Sequence, residues 1–165
     1  LEEITLELFP SDFDKELFTR VLESLPNEKA LQVPLYAFDV DETSIIMTRD
    51  NIRNAGLQDY ISVGQHDFLT PEKTYSPSVI VINPPYGERI GGDDIKMLYK
   101  GIGDALKKAY PGSEAWILSA SKEGMKQLGL KAEKKFTLYN GALECKYQKY
   151  RLFKGSFKDY KVKSA

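Results

Sequence analysis

The 165-residue sequence contains little of what proteins commonly use to build metal sites, cross-links and membrane anchors. Its single cysteine, Cys145, excludes a disulfide within the chain and argues against a cysteine-based metal site. Its single histidine, His66, excludes a site built on two histidines, so we interpret it as a loop residue and expect no metal. No apolar run approaches a membrane-spanning length, and no signal-peptide pattern opens the chain. We therefore expect a cytoplasmic protein without a membrane partner.

The sequence also has no excess of charge of either sign. Its net charge is −1, so no overall basic field indicates a nucleic-acid partner. Basic residues do concentrate near the C-terminus, where Asp159 is the only acid from Lys146 onward. That basic segment either contacts phosphate groups or is simply solvated. A hydrophobic content of 42% is sufficient for one core in a chain of this length, so we predict a single domain over residues 1–165.

The most informative stretch is an apolar run, Val79–Ile82, that stops abruptly at Asn83, two prolines and Tyr86. The four branched residues predict a strand buried on both faces, because the run is too short for a helix and rich in β-branched side chains. Pro84 and Pro85 end the strand, since proline has no N–H for a ladder and pushes the preceding residue into extended geometry. Asn83 is thereby presented at the carboxyl edge, where open α/β sheets bind ligands.

The Asn-Pro-Pro-Tyr segment suits one chemical task. An exocyclic amino group on a nucleobase is a poor nucleophile, because its lone pair is delocalised into the ring. The Asn83 side-chain oxygen and the Pro84 carbonyl can accept its two N–H bonds and favour a pyramidal nitrogen as a methyl group arrives. The Tyr86 ring offers a flat surface on which an extruded base can stack. The alternative is that the segment is only a rigid exit from a strand.

This segment resembles the catalytic motif of S-adenosylmethionine-dependent amino-methyltransferases, which act on adenine N6, cytosine N4, guanine N2 or protein glutamine. The longer form, through Arg89, resembles the ribosomal RNA guanine-N2 methyltransferases of the large-subunit type, which are also labelled N6-adenine-specific DNA methylases. The resemblance covers the chain from about Phe13 onward. It implies methyl transfer from S-adenosylmethionine to an RNA base, with guanine N2 of 23S ribosomal RNA expected first. The alternative is adenine N6 in DNA or RNA.

The resemblance also implies a role for each residue of the motif, and it makes RNA the expected partner. Glu88 and Arg89 are expected on the substrate-binding side of the motif. There they would either order the loop or contact the RNA backbone. A salt bridge within the protein accounts equally well for that pair. The catalytic positions that the resemblance implies are Asn83, Pro84, Pro85 and Tyr86.

Two other predicted strands end in residues that suit a nucleotide-like cofactor. The strand at residues 35–38 ends at Asp39, and a carboxylate at the tip of the second strand is where nucleotide-binding folds hold ribose hydroxyls. Asp41 is better placed as the N-cap of the next helix, although both aspartates could simply be caps. The following strand leads to Asp67 and Phe68, which the resemblance places against the adenine amino group and ring of S-adenosylmethionine.

The rest of the chain alternates helical and extended patterns. A strong two-residue hairpin signal, Asn140-Gly141, lies near the C-terminus. A terminal antiparallel hairpin on an otherwise parallel sheet is typical of the Rossmann-like class I methyltransferase fold, an α/β fold. Ser11 or Asp12 would cap the first helix. The remaining predictions are helices at residues 17–25, 45–55, 95–109 and 122–128, and strands at residues 60–63, 115–118, 135–139 and 142–152.

One expected piece of this fold is missing from the sequence. Strands two to seven of the usual seven can be found, but not the first, central strand with its glycine-rich loop, whose N–H groups approach the methionine part of the cofactor. Without it the sheet would fall into two halves with unpaired edges. We favour an incomplete, truncated catalytic domain; alternatively, residues 4–8 fill the gap, or chains exchange strands. A module that is inactive and binds no cofactor by itself is the corresponding functional alternative.

Overall fold

The structure is a computed structural model that describes residues 14–24, 33–86 and 91–154. The chain divides into two compact units, residues 1–35 and residues 36–165. Several predictions lie outside the described residues, namely those for Ser11, Asp12, residues 4–8, Glu88 and Arg89.

The first unit contains one described helix, α1 (Lys15–Ser24). It begins after Asp14, whose carboxylate accepts a hydrogen bond from the backbone N–H of Leu17 at 2.8 Å. A short polar side chain that accepts from the third residue of the helix is the usual N-cap. Asp14 is therefore the N-cap of the described helix.

The remaining chain alternates strands and helices, and every element predicted there from sequence is present to within a few residues. The glycines at positions 101 and 103 lie within a helix, so they do not form a phosphate-binding loop. In chain order the elements are β1 (Leu35–Asp39), α2 (Glu42–Asn54), β2 (Ile61–Gln65), β3 (Val79–Ile82), α3 (Gly92–Ala109), β4 (Glu114–Ser119), α4 (Lys122–Gln127), β5 (Lys134–Asn140) and β6 (Leu143–Arg151).

Within the residues that the structure describes, the strands form two separate sheets. β1 and β2 make a two-stranded sheet, and the other four strands follow the order β3–β4–β6–β5. β3 runs parallel to β4, whereas β6 is antiparallel to both β4 and β5. Between β5 and β6 the chain turns through Gly141, whose φ of +60° is a conformation that glycine adopts without strain. The α/β class, the C-terminal hairpin and the division into two half-sheets all agree with the prediction.

The main core lies between α3, α4 and one face of the four-stranded sheet. On β3 the prediction of burial on both faces was wrong. Ile80 and Ile82 pack against the core, whereas Val79 and Val81 are 68% and 67% exposed. Successive side chains of a strand point to opposite faces, and helices cover only one face of β3 among the described residues. The most completely buried members of the core are Tyr99, Leu106, Ala115, Ile117 and Leu128.

The opposite face of the four-stranded sheet carries large side chains in partial contact with one another. Trp116 pairs with Val81 across β3 and β4, so both lie on this face. The Trp116 ring stacks on Tyr147 with centroids 5.0 Å apart and on Phe136 at 6.2 Å. The Lys149 ammonium lies 5.8 Å from the Trp116 ring centre. This face is therefore apolar, aromatic and only half-buried in the described residues.

α3 packs so closely against α4 and the residue that follows it, Leu128, that glycine is required at two positions of the contact. A Cβ atom at Gly103 would lie 2.0 Å from the carbonyl oxygen of Leu128. One at Gly124 would lie 2.8 Å from the Tyr99 ring. Contacts this short with a backbone atom or a buried ring cannot be relieved without moving the helices, so α3 is tightly seated on α4.

Candidate active site

The Asn-Pro-Pro-Tyr segment, residues 83–86, leaves the carboxyl end of β3 and is called the motif loop below. Pro84 is buried and anchors the loop, whereas Asn83 and Pro85 are exposed and Tyr86 is half-buried. The two prolines supply no N–H, so at these two positions the backbone can form hydrogen bonds only through its carbonyls. The exposed position of the asparagine at the edge of a strand is the one that the sequence predicts.

Within the motif loop, the Tyr86 hydroxyl donates a hydrogen bond to Asn83 Oδ1. This is the oxygen predicted to hold a target amino group. An amide oxygen has two lone pairs, so it can accept a second hydrogen bond while Tyr86 stays in place. Burial raises the pKa of Tyr86, and Cys145 nearby raises it further, while the bond to Asn83 lowers it. With the pKa above its ordinary value of 10.0, Tyr86 is a neutral donor at neutral pH.

Tyr99 of α3 contacts the motif loop from the buried side. Its hydroxyl donates to the Pro85 carbonyl at 3.3 Å and contacts the Ser119 hydroxyl at 2.5 Å. Ser119 Oγ in turn accepts from the backbone N–H of Ser121 at 2.9 Å. The sequence predicts only a helix over residues 95–109 around Tyr99, because no local pattern reveals a partner that is brought close by folding.

The residues predicted for a cofactor lie at the ends of β1 and β2. Asp39 is exposed, and its side-chain Oδ1 accepts a hydrogen bond from the backbone N–H of Asp41 at 2.9 Å. The backbone carbonyl of Asp39 accepts a hydrogen bond from the backbone N–H of His66, also at 2.9 Å. Asp41 caps α2, since its Oδ2 accepts from the N–H of Ser44 at 2.7 Å. The cap predicted at Asp41 is therefore confirmed, and Asp39 caps no helix among the described residues.

Asp67 and Phe68 follow β2 in a turn. The Asp67 carboxylate accepts from the backbone N–H of Leu69 at 2.9 Å and from the Thr70 hydroxyl at 3.2 Å. The Phe68 ring is half-buried and stacks on Tyr110 of the main core, with centroids 5.5 Å apart. One face of Phe68 is thus already occupied by the protein, which leaves its edge and other face for a ligand.

The acceptor groups at these two strand ends fit the adenosine part of S-adenosylmethionine. Asp39 ends β1 and Asp67 follows β2, its neighbour in the sheet; both are exposed carboxylates, which accept hydrogen bonds from hydroxyl and amino groups. The sequence contains no glycine-rich loop for the methionine part. No group of three or more His, Cys, Asp or Glu that could hold a metal ion occurs within residues 14–24, 33–86 and 91–154.

Cations at the start of the basic C-terminal segment are paired with acids of the same chain. Lys149 lies 2.6 Å from Glu114, and Arg151 lies 2.9 Å from Glu133. Lys146 lies 2.8 Å from Glu144. These pairs favour a structural role for the three cations over contact with phosphate. As for membranes, no helix in the part of the chain that the structure describes is long and apolar enough to cross one.

Residues 7–149 match the family described as RMKL-like, methyltransferase domain. The ribosomal RNA large subunit methyltransferase K/L of Photobacterium profundum is 32% identical over 155 residues, which is 89% of this chain and 22% of that protein. The chain thus spans about a fifth of the length of this curated relative.

Two solved structures resemble the described fold. SMU.472, crystallised with S-adenosylhomocysteine, has a TM-score of 0.69 and 26% identity over 88% of this chain and 39% of its own. A protein from Listeria monocytogenes str. 4b F2365, named as a predicted N6-adenine-specific DNA methylase, has a TM-score of 0.60 and 28% identity. That match covers 71% of this chain and 30% of the other.

Proposed function

Because this chain belongs to the RMKL-like methyltransferase domain family, we propose that it is catalytic-domain sequence of an enzyme that methylates the exocyclic amino group of an RNA base. The proposed substrate is guanine N2 in large-subunit ribosomal RNA. The name of the Photobacterium relative supports ribosomal RNA, and the extended motif through Arg89 supports guanine N2. When bound, S-adenosylmethionine would supply an electrophilic methyl group.

One observation carries the proposal: an exposed asparagine at the carboxyl end of β3 is held in a loop that is tied to the core. In the proposed reaction, Asn83 Oδ1 and the Pro84 carbonyl accept the two N–H bonds of the target amino group. The target base stacks on Tyr86. Positioning and electrostatics of this kind can supply catalysis without a strong base: the aimed amino nitrogen would attack with its own lone pair as the methyl–sulfur bond of the cofactor breaks, and the surplus proton would pass to water once the nitrogen is methylated.

The cofactor would be held from the other two strand ends. Asp39 is proposed to accept from the ribose hydroxyls, and Asp67 from the adenine amino group. Phe68, stacked on Tyr110 on one side, is proposed to flank the adenine ring. Glu88 and Arg89 are proposed to contact the RNA substrate beside the motif loop.

A second candidate function is methylation of adenine N6. It is favoured by the similarity to the Listeria protein, whose name refers to N6-adenine in DNA. The motif loop itself does not separate the two substrates, because both present an exocyclic amino group with two N–H bonds. A third reading, a module that binds no cofactor by itself, follows from the missing glycine-rich loop.

The test is methyl transfer by the complete natural protein that contains this chain. The substrate would be ribosomal RNA from a strain deleted for the gene, with S-adenosylmethionine carrying a labelled methyl group. Asn83→Ala is expected to lower kcat about 100- to 1000-fold, as loss of one catalytic hydrogen-bonding group does. The matched control is Asn140→Ala, an exposed asparagine at the end of β5, which is expected to leave kcat unchanged.

Nucleoside mass spectrometry of the product distinguishes the candidates. N2-methylguanosine supports the proposal, and N6-methyladenosine supports the second candidate. Near wild-type turnover of Asn83→Ala would show that the asparagine does not hold the amino group. Absence of any methylated nucleoside when the wild-type protein is given this ribosomal RNA, and unmethylated DNA in a parallel reaction, would contradict both candidates.

A further inference from the structure

A row of hydrogen bonds connects the β4–α4 junction to the motif loop. It runs from the Ser121 backbone N–H to Ser119 Oγ, from there to the Tyr99 hydroxyl, and on to the Pro85 carbonyl. An N–H can only donate and a carbonyl can only accept. Each hydroxyl between them has one proton, so all three bonds form only if Ser119 donates to Tyr99 and Tyr99 donates to Pro85.

The two residues that supply the hydroxyls of this row are buried, and the Tyr99 ring is held in place. Tyr99 has no exposed surface, and Ser119 is 1% exposed. In such surroundings an unpaired hydroxyl is costly, and hydrogen bonds in series strengthen one another. The Tyr99 ring packs on Gly124, where any Cβ would overlap it. The Gly124 N–H also donates to Ser121 Oγ at 3.0 Å, which caps α4.

A hydrogen bond to the Pro85 carbonyl fixes the conformation of the motif loop at this residue. The proline ring fixes φ of this residue, so only ψ remains free. That one torsion sets both the direction of the Pro85 carbonyl and the direction in which the chain continues to Tyr86. A hydrogen bond that fixes the carbonyl therefore also fixes where the Tyr86 ring begins.

From this geometry we infer that Tyr99 is a positioning residue: by holding the Pro85 carbonyl it places Tyr86, and with it the Asn83 side chain, for the target base. The inference rests on the proposed function for its catalytic consequence. Its structural part, that Tyr99 holds the motif loop, stands on the contacts of the chain alone. Tyr99 itself is proposed to contact neither the substrate nor the cofactor.

The catalytic consequence is tested with Tyr99→Phe in the complete natural protein, in the RNA methylation assay. The change removes one hydroxyl and keeps the ring. We expect kcat to fall about 10- to 100-fold, because a loop that drifts by about 1 Å misaligns the reacting atoms. The KM for RNA and the KM for S-adenosylmethionine should stay within about twofold, because the groups that contact both are unchanged.

The matched control is Tyr150→Phe. Tyr150 is another buried tyrosine of the same core, at 2% exposure, and its hydroxyl donates to Gln148 Oε1 at 2.8 Å without touching the motif loop. It should leave kcat unchanged. Wild-type kcat in Tyr99→Phe, or an equal loss in both variants, would overturn the inference.

A second measurement needs neither substrate nor activity. Tyr86 carries the first backbone amide after two prolines, and its nitrogen belongs to the same peptide group as the Pro85 carbonyl, so the order parameter of that amide, measured by nuclear magnetic resonance relaxation, reports the motif loop directly. We expect the order parameter at Tyr86 to fall from about 0.85 to below about 0.6 in Tyr99→Phe and to stay unchanged in Tyr150→Phe. An unchanged order parameter in Tyr99→Phe would overturn the inference whatever the activity. A lowered order parameter in a protein that methylates nothing would support the holding of the loop by Tyr99 and contradict only the proposed function.

Discussion

The two sheets each contribute residues to the candidate site, but they differ in how well they are covered. In the four-stranded sheet, Ala115 and Ile117 of β4 have no exposed surface. In the two-stranded sheet, Tyr36 and Phe38 of β1 are 62% and 57% exposed. The motif loop is thus supported by a packed core, whereas the two carboxylates proposed for the cofactor lie at the strand ends of a lightly packed sheet. The two halves of the site should therefore respond differently to mutation.

The largest effect should come from breaking the packed half. Gly103→Ala would place a Cβ 2.0 Å from the Leu128 carbonyl oxygen, so α3 and α4 would have to separate. We expect a loss of about 3 kcal/mol in the free energy of unfolding, the upper end of what overpacking costs. Urea-induced unfolding followed by circular dichroism measures this loss.

The control for this change lies two residues away on the same helix. At Gly101 a Cβ would meet only the Leu69 side chain, whose nearest atom is 3.1 Å away and can move. Alanine is favoured over glycine within a helix by up to about 1 kcal/mol, so Gly101→Ala should be neutral or stabilising. Equal destabilisation by both variants would mean that α3 and α4 are not closely packed.

The second effect concerns Tyr150, which lies in the packed half. Burial raises the pKa of Tyr150 to about 12, from 10.0 in the unfolded chain. Between pH 10 and 12 the unfolded state loses this proton while the folded state keeps it, so stability falls as the pH rises. A shift of two units corresponds to at most about 2.7 kcal/mol.

Tyr150→Phe removes this contribution. Its free energy of unfolding, measured in urea at pH 9 to 12, should fall less steeply with pH than that of the wild type. Other buried tyrosines, Tyr99 and Tyr110, also have raised pKa values and keep part of the slope. Parallel curves for the wild type and Tyr150→Phe would show that Tyr150 titrates normally.

The smallest effect on stability is expected in the lightly packed half. There, substitutions of Asp39 and Asp41 should differ clearly in their effects on ligand binding. Asp39→Ala should weaken binding of S-adenosylhomocysteine about thirtyfold, as loss of a charged hydrogen-bond acceptor does, and should leave stability unchanged. Asp41→Ala should do the reverse: it removes the N-cap of α2, costs about 1 kcal/mol of stability and leaves binding unchanged.

Calorimetric titration and urea unfolding of the complete protein measure both quantities for the two aspartates. If Asp39→Ala bound the ligand with wild-type affinity, the proposed contact with ribose would be wrong. If both variants lost affinity equally, the effect would belong to the β1–α2 turn as a whole.

How far the sequence predicts this molecule depends on the range of the interaction. Turn and cap signals act over a few residues, which is why the Asn140-Gly141 hairpin and the Asp41 cap were predicted. Burial of a strand depends on which elements cover it. The run Val79–Ile82 therefore predicts burial on both faces, although Val79 and Val81 are exposed.

The support of the motif loop is a second case that sequence could not predict. Tyr99 lies 14 residues from Pro85 and 20 from Ser119, and only the fold brings their polar atoms together. A tyrosine at an apolar position of an amphipathic helix is compatible with many partners. The motif itself was readable because its four residues are consecutive.

The half-buried aromatic face of the four-stranded sheet gives the protein a built-in optical reporter. Trp116 is the only tryptophan in the sequence, and it lies on that face against Tyr147. Its indole is excited selectively above the tyrosine absorption band, and its emission moves to shorter wavelength when water is withdrawn from the ring. The emission spectrum of the unlabelled protein therefore records whether any further polypeptide, from the same chain or another, settles on this face.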